Sequence, residues 1–439
     1  MARIAVSTAI LSLFCSTVSV AETFGQTNDH FASGELRRLP PIMIEPHQQN
    51  VAVRKSFHAT NLAEQTSSDE SNDGLLDLLK SKGVITQQEM EQLRRNEAKE
   101  KKEDLPSVGY KKGAYIKTQG DKHELHFRFL FQPRFETTDV YNAPTETSFL
   151  IRHAQLRMFG HILDPRLKYK MMINGAGRTR AEDVDLRDLW VDWQWTDAFQ
   201  IKFGQFLVWF DHENLAPTWG LHLVDRSIIN ANLGFERDPG VQVHGHLFGD
   251  RMDYYLSIVN GEGRNEINAG NDLTYIARVD LHLLGKEQYL VADVPMSCDP
   301  HLAWGTAYLH DGANRSVGGN RLNRFTTDLV YRYNGFSALG LVNRVQNADT
   351  QTADFGYLGE AGYFLLPGRF EVVGRFAEIN REGAINATLA DPRELTIGVN
   401  YYFNEHQVKL QVDYSLLWND RSVADRDAQR VRFQMQLFF

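Results

Sequence analysis

The chain has 439 residues, is 42% hydrophobic, and carries 47 Lys and Arg against 56 Asp and Glu, a formal charge of −9 at pH 7. That length admits one large domain or two ordinary ones, and the acidic balance argues against a nucleic-acid binder. Its two cysteines, Cys15 and Cys298, exclude a disulfide framework, so a large fold must rest on backbone pairing and packing.

Met1-Ala2-Arg3 precedes the uncharged run IAVSTAILSLFCSTVSVA, which closes on Ser19-Val20-Ala21. A basic start, an apolar core and small closing residues predict a signal peptide over 1–21; an uncleaved anchor is the alternative. Phe14 stands where a lipoprotein signal needs a small residue before its cysteine. No later run of about 18 apolar residues exists, so no spanning helix is predicted. Residues 22–73 are polar and without a sustained period, the pattern of a disordered linker. Within 74–112, Leu75, Leu76, Leu78 and Leu79 form an apolar stripe, and Gly83 is a helix stop. Thr86 with Glu89 makes a capping box for a second helix carrying Met90 and Leu93. The stripe is too short to bury much alone, which predicts self-association as a small coiled coil; the plainer alternative is a helical hairpin on a linker.

From residue 113 the helical period gives way to alternation. Leu125, Phe127, Phe129 and Phe131 oppose Glu124, His126, Arg128 and Gln132; Leu273, Tyr275, Ala277, Val279 and Leu281 oppose Thr274, Arg278, Asp280 and His282. Such segments recur near 123–136, 149–160, 166–174, 186–195, 199–207, 239–248, 251–259, 271–284, 301–310, 323–334, 337–345, 355–365, 369–378, 393–403, 407–417 and 429–439, with ambiguous parity at 149–160 and 337–345. The gaps between them alternate long and short, 285–300 excepted. Even strand number, short turns on one side and long loops on the other predict an all-β fold over 113–439, a 16-stranded antiparallel transmembrane β-barrel. The place for it is the outer membrane of a Gram-negative bacterium, among outer-membrane lipids, with the N-terminal segment periplasmic. In the last segment Val431, Phe433, Met435, Leu437 and Phe439 share the lipid-facing parity; a one-residue slip would turn Arg430 and Arg432 toward lipid at up to ~2–4 kcal/mol each.

The opposite parity faces water. It holds the cations Arg128, Arg134, Arg157, Lys168, Lys170, Lys202, Arg251, Arg278, Arg324, Arg332, Arg369, Arg375, Lys409, Arg430 and Arg432. Its acids are Glu124, Glu136, Asp188, Asp192, Asp253, Asp280, Asp328, Glu371 and Asp413. A basic excess in a low-dielectric tube favours anions, unless cross-strand salt bridges such as Arg278/Asp280 consume it. The longest connection, about 208–238, carries Trp209, Phe210, Trp219, Leu221, Leu223, Ile228, Ile229 and Phe235, which need burial and predict a loop folded inward as a constriction. Its acids, among them Asp211, outnumber its bases Arg226 and Arg237, so the loop is not itself an anion clamp. His244 and His246 share an inward face but lack a third metal ligand, and Asp183, Asp185 and Asp188 lack EF-hand spacing, so no metal or cofactor is expected. Cys298 falls in the connection 285–300.

FLIRHAQLRMFG, IKFGQFLVWF, VDRSIIN, ERDPGVQVHG and YYLSIVNGEG, in that order around the sixteen-segment pattern, resemble the phosphate-selective porin O and P family from about residue 74 to the end. The resemblance implies a homotrimeric channel for small anionic solutes, with arginines along the anion path and the third outer loop folded inward. A terminal Phe such as Phe439 likewise resembles the signal read by the barrel assembly machinery. Gly204, Phe206, Arg226, Ser227, Arg237, Asp238, Gly240 and Gly245 match the family pattern. Leu207, Trp209, Asp211, His153 and Gln155 depart from it and remove positive charge near the constriction. The reading is an anion-preferring diffusion porin with no covalent step. An adhesive barrel that binds a surface partner through its loops is the alternative, and a barrel enzyme would need a Ser/His or Asp/His cluster at the rim that the sequence does not display.

Overall fold

The computed structural model describes residues 74–439 except 105, 119–121, 176–183, 269, 287–288, 315–319, 383–390 and 421–426. The signal peptide and linker expected over 1–73, and Asp183, lie outside the described residues.

Among the described residues α1 comes first, covering residues 74–81, and is followed by α2 (Gln87–Asp104). Gly83 ends the first helix at φ +71°, a left-handed position open to glycine without steric penalty. The Thr86 N–H donates to Glu89 Oε2 at 2.8 Å, and the Glu89 N–H donates to Thr86 Oγ1 at 3.3 Å, the reciprocal pair that the spacing predicts. Helix ends at Asp104 rather than near 112. Residues Ser107–Tyr110 (β1) instead pair with Ala114–Lys117 (β2), and β2 pairs with the start of the first long strand.

Sixteen long strands follow: β3 (Glu124–Val140), β4 (Glu146–Ile162), β5 (Asp164–Asn174), β6 (Asp185–Thr196), β7 (Phe199–Leu207), β8 (Arg237–Leu247), β9 (Met252–Val259) and β10 (Thr274–Leu284) form the first half. The second half is β11 (His301–Asn314), β12 (Asn320–Tyr333), β13 (Phe336–Asn347), β14 (Ala353–Leu366), β15 (Phe370–Arg381), β16 (Asp391–Asn404), β17 (Val408–Asp420) and β18 (Ala428–Phe438). Each is antiparallel to the next, and β18 pairs with β3 to close the barrel. Several strands run past their expected outer ends, β3 to Val140 for example. Beyond the lipid both faces meet water, so hairpin pairing continues there without the apolar alternation that marks a membrane strand.

Phe203, Ile258, Tyr275, Ile397 and Phe433 are exposed on the outer face, while their strand neighbours of opposite parity point into the barrel. Phe439 is 50% exposed on that outer face and Phe438 is 7% exposed on the inner one. The terminus does not fray: the Phe129 N–H donates to the Phe439 carbonyl at 2.6 Å and the Phe439 N–H donates back at 3.0 Å.

Two β-bulges re-aim side chains. Opposite Gln132 and Pro133, β4 carries an extra residue, Arg152; opposite Met172 and Ile173, β6 carries an extra residue, Arg187. Pro133 has no N–H for the ladder, a reason for pairing to slip there. A bulge lets successive residues face the same way, so Arg152 joins His153, and Arg187 joins Asp188, on the inner side.

Candidate functional site: the barrel lumen

The long loop, residues 208–236, folds into the barrel. Asp211 Oδ1 accepts the Asn214 N–H at 2.8 Å and starts α3 (His212–Leu215); Ser227 Oγ accepts the Ile229 N–H at 3.1 Å and starts α4 (Ile228–Leu233). Arg226 staples the loop to itself, donating to the carbonyls of Glu213 (3.0 Å) and Ala216 (2.7 Å). Ala216, Leu221, Ile229 and Leu233 pack on inward apolar residues of β12 to β15, including Leu322, Val330, Leu339, Leu341, Leu358 and Ile379. The α4 part of the loop is thus laid against β12 to β15, while Val224 and Asp225 reach across to Arg134 on β3 and Arg152 on β4.

Its backbone polar groups, taken out of water, need partners, and wall side chains supply them. Arg278 donates to the Phe210 carbonyl (2.5 Å), Lys409 to that of Leu221 (2.9 Å), Asn400 to that of His222 (2.7 Å), Arg375 to that of Asp225 (3.0 Å) and Arg324 to that of Gly234 (2.9 Å). Asp328, Asp413 and Glu394 accept the N–H groups of His212, Val224 and Ile228. Two of these cations, and Arg432 beside them, are also held by buried carboxylates: Arg278 by Asp280 and Asp328, Arg375 by Glu360 and Glu394, Arg432 by Asp413. His222, fully buried, lies 2.9 Å from Glu360 and 3.2 Å from Glu371. Burial works against its charge, but the two carboxylates outweigh it and raise its pKa to about 9.

The connection between β10 and β11 also enters the lumen, from the opposite end. Ala292 and Val294 pack with Phe364 and Tyr402, and Tyr289 donates to Asp280 at 3.1 Å. Cys298 is exposed at its base.

The wall of β3 to β7 is different. Arg128, Arg157, Lys168 and Lys202 point into the barrel there, and among the described residues none has a carboxylate within ion-pair distance. Arg128 lies over Phe159 (5.3 Å) and Phe438 (5.7 Å), and Lys202 over Trp190 (4.9 Å). Toward the outer end, Arg152, Arg187, Arg226, Arg237, Arg430 and Arg432 line a cavity of about 300 Å³ with Asp225, Glu236 and Glu394. Toward the periplasmic end, Arg128, Arg157, Lys168 and Lys170 line another of about 440 Å³. Asp188 joins the two, 2.7 Å from both Arg237 and Lys170.

Most of the inward positions expected from parity fall into these two classes. Arg134, Arg278, Arg324, Arg375 and Arg432 face inward but hold the loop or its ion pairs; Arg332 is buried on β12. Arg251 and Arg369 do not line the lumen. Each continues the inward parity past the end of its strand into a short turn, where it is exposed. Trp209 stacks on Tyr255 (3.8 Å) and Trp219 on Phe438 (5.1 Å), so both fix the loop to the wall. Period-two reading omitted Arg152 and Arg187, which only a bulge turns inward, and the buried acids Asp238, Asp311, Asp354, Glu360 and Glu394. Those acids bring the lumen near charge balance, so the excess expected from parity is local to the free wall. His244 and His246 are each paired with an aspartate, Asp192 and Asp253, rather than poised around a metal. Asp185 meets Arg264, and Asp188 meets Arg237 and Lys170.

The model of the family described as phosphate-selective porin O and P matches residues 128–283 and 308–439. No curated protein matches the sequence. Among solved structures, an anion-selective porin from Comamonas acidovorans superposes with a TM-score of 0.53 at 13% identity, over 72% of this chain and 99% of that one. Salmonella typhi OmpF in complex with daunomycin gives 0.53 at 14% identity, over 75% and 100%. The outer membrane channel DcaP of Acinetobacter baumannii gives 0.50 at 10% identity, over 76% and 100%. At such identities the likeness is one of fold.

Proposed function

The chain belongs to the phosphate-selective porin O and P family and is an outer-membrane porin of a Gram-negative bacterium, and on that premise we propose that small anions cross it along the wall of β3 to β7. The observation that carries this is the contrast between walls. Cations that face the loop are paired with buried acids or occupied by loop carbonyls, whereas Arg128, Arg157, Lys168 and Lys202 have no carboxylate within ion-pair distance among the described residues. A charged strip on a low-dielectric tube concentrates counter-ions, and a modest strip gives a moderate preference.

Solutes enter past the outer arginine cavity, cross at Asp188, and leave over Lys202 and Lys168. Phosphate passes with weak block, because Leu207, Trp209 and Asp211 add no cation and Trp209 is stacked away on Tyr255. Family and fold point to a channel rather than an enzyme. The exposed aromatic outer face and the leucine stripe of α1 support a homotrimer, with Phe439 as the residue read during assembly. The test is the reversal potential of the purified protein in a planar bilayer under a KCl gradient. Anion preference that shrinks as salt rises toward 1 M, where the Debye length is about 3 Å, supports the reading; cation preference defeats it.

A further inference from the structure

We propose that the periplasmic half of the free wall is a binding site for a planar aromatic carboxylate. The proposal deepens the anion-channel reading above and rests on it. The cavity there, about 440 Å³, is lined by Arg128, Arg157 and Lys168 together with His126, Phe159 and Trp190. An inorganic anion needs only the first three. Phe159 and Trp190 occupy inward positions that in a purely aqueous conduit would be polar. Rings and cations also alternate in space: the Arg128 guanidinium lies 5.3 Å from the Phe159 centroid, the Arg157 guanidinium 5.4 Å from that of Phe438, and Lys202 Nζ 4.9 Å from that of Trp190. Arg128 Nε and Arg157 Nε are buried there without a hydrogen-bond partner. Glu124, the carboxylate in the lining, is already shared by His126 at 2.5 Å and His161 at 3.5 Å. Unmet donors beside aromatic surface fit a solute that brings a carboxylate for the donors and a flat ring for the surface.

The probe pair is benzoate and cyclohexanecarboxylate, which share charge and carbon count and differ in planarity and π character. Each is titrated against the chloride current of the unaltered protein in planar bilayers. Benzoate should half-block at a concentration roughly three- to tenfold lower, the worth of an aromatic contact beyond area burial. Phe159→Leu and Trp190→Leu should each narrow the ratio, the double variant should bring it to parity, and Trp190→Phe should keep most of it. Equal block by the two acids in the unaltered protein overturns the proposal without any variant. So does a benzoate advantage that survives the double substitution. A channel that prefers cations in KCl alone would instead overturn the anion reading beneath it, which keeps the two failures distinct.

Discussion

Trp209 and Tyr289 meet edge to face, ring centroids 4.7 Å apart and planes at 88°, although one enters the barrel from the outer loop and the other from the connection between β10 and β11 at the opposite end. Two inserted segments thus share one aromatic joint beside the Arg278–Asp280 ion pair. Tyr289→Ala removes that joint and the hydrogen bond to Asp280. We expect a loss of about 1–3 kcal/mol in stability and a noisier, larger single-channel current, since a half-buried aromatic packed on Trp209 is removed. Thermal unfolding in detergent and single-channel recording check this; an unchanged current would show that neither segment limits the pore.

His222 ties the loop to Glu360 and Glu371. Its pKa is raised to about 9, so its stabilising contribution is full below its ordinary value near 6.5 and is lost as pH climbs through about 9. The loop should therefore hold at pH 6–8 and loosen above about 9, seen as rising current noise. His222→Gln should be noisy throughout and lose that pH step. A variant with the same step would assign it to another group.

Asp225 accepts from Arg134 at 3.1 Å and from Arg152 at 3.0 Å, in the middle of the outer arginine cavity. Asp225→Asn removes a negative charge among arginines, so the reversal potential should move further toward anions. The loop should also lose about 3–5 kcal/mol of anchoring, the usual consequence of breaking a buried pair. A shift toward cations would place this cavity outside the conduction path.

Phe439 and Phe438 face opposite sides of the wall, which separates their roles. Phe439→Ser exposes a polar group on the lipid face at the seam with Phe129 and should lower the yield of heat-modifiable barrel. Phe438→Ser removes the partner of Trp219 and should change the current while assembly is largely kept. Equal assembly defects, measured by gel mobility before and after heating, would count against that division.

Sixteen strands could be read from the sequence because lipid outside and water inside impose a period of two on most of them. Both segments of ambiguous parity have a physical cause. Over 149–160 the bulge at Arg152 breaks the period. Over 337–345 the inner residues Leu339, Leu341 and Val345 are apolar because they receive the loop, so both faces look alike. Lumen charge was less legible. Parity carries no information about where a strand stops, hence Arg251 and Arg369; nor does it say which inward cation an acid on another strand will neutralise, hence Arg278 with Asp328 and Arg375 with Glu360 and Glu394. The loop's burial was visible in its apolar content, but the wall it chooses depends on a three-dimensional match that one sequence does not spell out.

The division of the lumen into a neutralised wall and a charged one is tested most directly by comparing reversal potentials in a KCl gradient for two sets of substitutions. Arg128, Arg157 and Lys202 changed together to Gln should abolish most of the anion preference. Arg251 and Arg369 changed together to Gln, which removes charge only from exposed turns, should leave it in place. A preference that survives the first set, or disappears with the second, would contradict an anion path along β3 to β7.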